Sequence, residues 1–241
     1  MHIDLGLAMR MSPKHGYQDA YAAYDWRNLE VRQANRGVLF VVTDGAGTAD
    51  FAAGAAKEGA KAFAPFFTDA SVPANESGLR TLAAAADQRV ASWGFSEGTD
   101  RPVGIAAMTA VWLSPDKHAV IVQAGDTAAF RIIAGKDSGT AIRLTPDDSV
   151  GHGLLRYLGR GDAQQFHVEP RPFSDGDTMV LVSDGVTKVL SGFELAQIVF
   201  GSKDSQLAAD KIAELAFARH AHDDITALVV YLEDWERDVG E

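Results

Sequence analysis

The chain contains no cysteine in its 241 residues. That absence excludes a disulfide framework, a thiolate zinc site and a cysteine nucleophile, and fits a reducing compartment. Positive charge is also scarce. Against 33 Asp and Glu there are 22 Lys and Arg, a formal net charge of −11, so the basic face that a nucleic-acid backbone or an anionic membrane demands is not provided. No apolar run approaches the ~20 residues needed to cross a bilayer. The start, Met1-His2-Ile3-Asp4-Leu5, lacks the basic segment and apolar stretch of a secretory signal. Phosphate-loop and dinucleotide fingerprints are missing as well. These absences predict a cytoplasmic protein with no nucleic-acid and no membrane partner.

What is present is an ordinary core-forming composition, 46% hydrophobic and 23% charged. Two distant phrases are nearly the same. Gly37-Val38-Leu39-Phe40-Val41-Val42-Thr43-Asp44-Gly45 and Thr178-Met179-Val180-Leu181-Val182-Ser183-Asp184-Gly185 each run from apolar residues to a hydroxyl, an aspartate and a glycine. An apolar run bounded by a turn signal reads as a buried strand. Each aspartate then sits where a buried strand meets the surface. Asp223-Asp224 opens a further strand, Ile225 to Tyr231. Carboxylates gathered at strand ends make a hard oxygen-ligand site for a divalent metal. Singly, Asp-Gly is a common turn dipeptide; as an ordered set the phrases read as a metal site.

Along the chain, strands are expected at 3–9, 20–25 and 38–43. Helices follow at Phe51–Phe67 and Leu79–Trp93, the second with Leu82, Ala86 and Val90 at helical spacing. Short apolar runs at 105–113, 118–124, 128–133 and 141–144 are divided by the turn segments Asp116-Lys117 and Ala134-Gly135-Lys136-Asp137. Pro146 to Asp175 reads as irregular or short strand. The strand 178–183, helices near 192–200 and 205–219, and the final strand complete the series, with a frayed acidic tail at 233–241. Consecutive strands in mid-chain argue for α+β with antiparallel sheets. One domain over 1–241 is expected.

In order along the chain, Gly16-Tyr17-Gln18-Asp19-Ala20, Val42-Thr43-Asp44-Gly45-Ala46-Gly47, Ala124-Gly125-Asp126-Thr127-Ala128, Leu181-Val182-Ser183-Asp184-Gly185-Val186-Thr187 and Asp223-Asp224-Ile225-Thr226 resemble the phrases of the type 2C metal-dependent protein phosphatases. The likeness runs from about residue 5 to 231. It implies a four-layer αββα sandwich, two antiparallel sheets flanked by helices. It implies two Mn²⁺ or Mg²⁺ ions, with Asp44 bridging both, the Gly45 carbonyl on one, and Asp184 and Asp223 on the other. Asp126 with Asp184 would hold a third, weaker ion, and Asp19 would act through metal-bound water. The implied reaction is hydrolysis of phosphoserine and phosphothreonine by attack of a metal-bridging water. The implied partner is a phosphorylated protein, a Ser/Thr kinase or its target.

The chain also departs from the pattern. Lys14 stands where the family's phosphate-gripping arginine is usual, and lysine binds phosphate as a point charge without the bidentate fork. Arg10 is the alternative gripper. Gln18 replaces an acidic residue, Ala128 an arginine and Asp224 an asparagine, and Ala46 stands at the place of a candidate acid histidine. Two other classes therefore stay open: a catalytically silent relative that binds phosphoproteins, and a phosphatase of a small phosphorylated molecule. His220-Ala221-His222-Asp223 is read as a helix end whose histidines suit the dipole. Gly94-Phe95-Ser96-Glu97-Gly98 has a helix before it, and a nucleophile elbow needs a strand there. His152 and His167 are read as surface or loop residues.

Overall fold

The computed structural model describes residues 2–12, 16–46, 49–135, 138–151, 153–162 and 166–233. Lys14, His152 and the tail beyond Glu233 lie outside them. The first stretch carries β1 (His2–Arg10), β2 (Asp19–Tyr24), α1 (Leu29–Ala34) and β3 (Val38–Gly45). Three helices follow, α2 (Ala52–Lys61), α3 (Pro65–Thr68) and α4 (Glu76–Ala91). Then come the strands β4 (Ala106–Leu113), β5 (His118–Ala124), β6 (Ala128–Ala134), β7 (Gly139–Arg143), β8 (Ser149–Val150), β9 (Gly153–Leu154), β10 (His167–Pro172) and β11 (Thr178–Val182). The last elements are α5 (Asp184–Thr187), α6 (Gly192–Phe200), α7 (Ser205–Ala218) and β12 (Ile225–Glu233).

The chain divides into two compact units, each built on one five-stranded antiparallel sheet with its own helices. The expected α+β class with two antiparallel sheets and flanking helices is observed.

One unit comprises 15–127 and 146–172, with strand order β10-β5-β4-β3-β2. Strands β3 and β4 are buried along their whole length, which is why their sequences are continuous apolar runs and not alternating ones. Helix α2 lies on β3 through its small face, Ala52, Ala55, Ala56, Gly59 and Ala60. A Cβ at Gly59 would stand 2.9 Å from the Thr43 methyl, so the glycine permits the approach. Leu39, Val41, Phe63, Phe66, Leu79, Leu82 and Trp112 belong to the core of this unit.

The second unit comprises 1–14, 128–145 and 173–241, with strand order β1-β12-β11-β6-β7. Helix α7 packs on β1 and β12, and α6 on β7. The start of α7 rests on Gly6, whose Cβ would fall 2.2 Å from the Ser205 carbonyl oxygen. The Asp4 carboxylate accepts the Ser205 N–H at 2.8 Å. Phe130, Ile132, Val180, Val182, Leu195, Ile212 and Val229 belong to its core.

One expectation needs correction. The helix read over Phe51–Phe67 is two helices, because Pro65 cannot donate within a continuing helix and instead opens α3 at its first position. The segment from Pro146 to Asp175, expected to be irregular or short strand, holds the short strands β8, β9 and β10, the last paired with β5 from His167↔Gln123 to Pro172↔His118. Pro170 and Pro172 concealed the bounds of β10. As an edge strand, β10 has a side on which a missing N–H costs no ladder bond.

Candidate functional site

In the first unit, the pairing of β2 with β3 sets Asp19 directly across from Asp44. Both are buried, at 5% and 8% exposure, so two carboxylates face each other at one sheet end. Asp44 is held there by its own strand. The Thr43 hydroxyl donates to the Ala20 and Ala56 carbonyls at 3.0 and 2.9 Å. On its other side Asp44 pairs with Ala107 of β4. Gly45 is required by close packing, since a Cβ would stand 2.6 Å from the Ala52 carbonyl.

The turn after β5 brings in the next acid. Gly125 has φ +100, and its Cβ would lie 2.5 Å from that of Ala107. A glycine over an alanine thus lets the turn settle on β4 beside Asp44. Asp126 follows, and the two residues offer carboxylate oxygens within 4.8 Å of each other. The turn is braced from below: the Thr109 hydroxyl donates to the Thr127 carbonyl at 3.0 Å and meets the Thr127 hydroxyl at 2.8 Å.

It is braced on the other flank by Asp148 and its partners Arg156 and His167. The Asp148 N–H donates to the Gly125 carbonyl at 3.1 Å. The buried Asp148 carboxylate receives Arg156 at 2.6 Å and lies 3.2 Å from His167 Nε2. His167, read as a surface residue, opens β10 and is half-buried against this acid. The only sequence signal was the unusual Asp147-Asp148 pair, which spacing alone does not connect to Arg156.

In the second unit the strand β11 ends at Val182, Ser183 is the N-cap of α5, and Asp184 is the first residue of that helix. Asp184 follows its strand as expected, and it also starts a helix, where an anion meets the positive end of the peptide dipoles. The Ser183 hydroxyl accepts the Thr226 N–H at 2.9 Å and donates to the Asp224 carbonyl at 3.2 Å. A Cβ on Gly185 would stand 2.1 Å from that same carbonyl. These contacts set the Asp184 elbow against the start of β12, next to Asp223.

Asp224 does separate work. Its buried carboxylate takes the Ser12 N–H at 2.6 Å and so pins the chain leaving β1. Its own N–H donates to the Asp223 carboxylate at 3.0 Å, which orients Asp223. Lys188 forms an ion pair with the Asp184 carboxylate from the i+4 position. Arg10, at the end of β1, lies 3.9 Å from Glu214 and is half exposed. His220, at φ +58, follows the end of α7 as anticipated.

The candidate donors gathered here are aspartate carboxylates, hard oxygen throughout, and the chain has no thiolate. Such donors suit Mg²⁺ or Mn²⁺. Within one unit, two acids held together at short range by packing and not by mutual attraction also fit a cation that would offset their repulsion.

No protein-family model matches the chain. It is 36% identical over 73 residues to Probable protein phosphatase 2C 39 of Arabidopsis thaliana, covering 27% of this chain and 25% of that protein. It is 26% identical over 157 residues to Probable protein phosphatase 2C 17 of the same plant, covering 53% and 55%. The matches therefore span about a quarter and about half the length of these curated relatives. Among solved structures, a bacterial serine phosphatase superposes with a TM-score of 0.79 at 16% identity, covering 96% of this chain and 98% of that one. The catalytic domain of the serine/threonine protein phosphatase PstP, solved in complex with two manganese ions, gives 0.75 at 18% identity, covering 97% and 100%. The chain has the fold of these bacterial phosphatases and shares local sequence with plant type 2C phosphatases.

Proposed function

We propose that this protein is a metal-dependent phosphatase that removes phosphate from phosphoserine and phosphothreonine in proteins. The observation that carries the reading is the buried acidic sheet end, Asp44 opposite Asp19 and within 4.8 Å of Asp126, in a chain with the fold of a phosphatase solved with manganese. In this reading Asp44 and the Gly45 carbonyl, with Asp184 and Asp223, would hold two Mn²⁺ or Mg²⁺ ions. Asp126 with Asp184 serves a third, weaker ion. Bound divalent ions would offset the charge of the phosphomonoester and lower the pKa of water.

The residues have separable tasks. Asp19, across from Asp44, orients water by accepting its hydrogen bonds. Asp224 fixes the direction of the Asp223 carboxylate through their shared backbone bond. Lys14 binds the substrate phosphate as a point charge, so phosphate affinity is lower than an arginine would give. Arg10, drawn toward Glu214, is the less suited gripper. The substrate is a phosphorylated protein, the partner a Ser/Thr kinase or its target, and the setting cytoplasmic signalling. No helix among the described residues is long and apolar enough to cross a membrane.

The test compares kcat/KM for a phosphothreonine peptide and a small aryl phosphate with Mn²⁺, alongside calorimetric Mn²⁺ binding. The proposal expects the peptide to be preferred. Preference for the small ester would move the reading to a small-molecule phosphatase. Metal binding with no turnover would leave the silent phosphoprotein-binding relative.

A further inference from the structure

We propose that Lys188 is a built-in counter-ion of the metal site: it occupies the Asp184 carboxylate until a divalent ion displaces it, and so weakens metal binding. The inference rests on the assignment of Asp184 as a metal ligand. Three observations carry it. Lys188 Nζ is paired with Asp184 Oδ2, and the two are four residues apart, at the first residue and the C-cap of one short helix. The pair is lopsided in exposure, with the Asp184 side chain 9% exposed and that of Lys188 60%. The first Asp-Gly phrase has no counterpart, because four residues beyond Asp44 stands Thr48.

The physics follows from the lopsidedness. A carboxylate shut away from water needs a positive partner. Aspartate followed at i+4 by lysine is the favourable order on a helix, since each charge also suits its end of the helix. The Lys188 N–H bonds the Asp184 carbonyl at 2.9 Å, which fixes the stem's origin below the acid. The ammonium itself is on a flexible stem that is 60% exposed, so a divalent ion can displace it into water. A divalent ion on the same carboxylate would sit about 2.0–2.1 Å from an oxygen and repel an ammonium held on that group. Loading therefore requires Lys188 to leave, and the strength of the pair is subtracted from the affinity for metal. Lys188 acts through Asp184 and need not touch the substrate. Its consequence is a metal site that keeps its shape when empty and releases its ion readily.

The experiment is calorimetric titration of the full chain with Mn²⁺, for wild type, K188Q, K188R and D184N. K188Q removes the charge at an exposed position and K188R retains it. The proposal expects K188Q to tighten the ion that D184N weakens by about tenfold, equivalent to ~1.4 kcal/mol, with K188R within about threefold of wild type. Equal or weaker binding by K188Q overturns it, as does a K188R as tight as K188Q. If wild type itself takes up no Mn²⁺, the metal reading fails and this inference with it. If wild type binds and K188Q is unchanged, this inference alone fails.

Discussion

Asp44 is fixed by its neighbours on both sides, Asp19 across one strand pair and Ala107 across the other. Replacing it with asparagine keeps the shape and removes one carboxylate charge from the proposed metal site. D44N should lose Mn²⁺ binding in calorimetry and at least about a hundredfold in kcat, since the ions carry most of the charge stabilisation. A similar loss of affinity for phosphate alone should appear in Lys14→Ala, with kcat less affected. Gly125 is constrained in a different way, by its φ of +100 and by the 2.5 Å that a Cβ would leave to Ala107. Gly125→Ala should cost about 2 kcal/mol or more in urea denaturation, because both the backbone conformation and the packing must yield. It should also weaken metal binding through Asp126, an effect that a surface alanine would not produce.

Helix α6 gives a pH prediction. Ser191 and Glu194 form a capping box at its start, and Glu194 also pairs with Arg219 at the end of α7. The Arg219 guanidinium, followed by the Ser191 N–H and hydroxyl, holds the Glu194 carboxyl down at about 2 from an ordinary 4.5. A depressed carboxyl contributes its full stability above the ordinary value and loses it as pH falls toward 2. Wild type should thus lose more stability than E194Q between pH 5 and pH 3, as read by denaturant melts at each pH. Parallel losses would remove Glu194 from that role. At the same scale the sequence was readable where one rule acted alone. The continuous apolar runs of β3 and β11 announced strands buried on both faces. The bounds of β10 were not legible, because its two prolines obey an edge-strand rule that needs the sheet order to apply. The four-residue helix at Asp184 has no periodicity to detect, so the strand run into it was legible and the helix was not. The Asp184 partner Lys188 and the Asp148–Arg156–His167 group depend on contacts, and spacing alone could not separate them from solvated charges.

At the scale of the molecule, the recurring Asp-Gly phrases made the acidic sheet ends legible before any coordinates, whereas the division into two interleaved units was not, since the chain changes unit at 14/15, 127/128, 145/146 and 172/173. Ligand linkage provides a prediction for the whole chain. Mn²⁺ at a hundred times its dissociation constant should stabilise the fold by ~2.7 kcal/mol, a rise in Tm of about 5–10 °C for a chain of this size. Chelator should reverse it, and D44N should show no rise. The central claim is tested most directly by phosphate release from a phosphothreonine peptide, with Mn²⁺ and with excess chelator, for wild type and D184N. The account predicts turnover by wild type with Mn²⁺, none with chelator, and a fall of at least about a hundredfold in D184N. Turnover that survives the chelator, or that D184N retains in full, would contradict it.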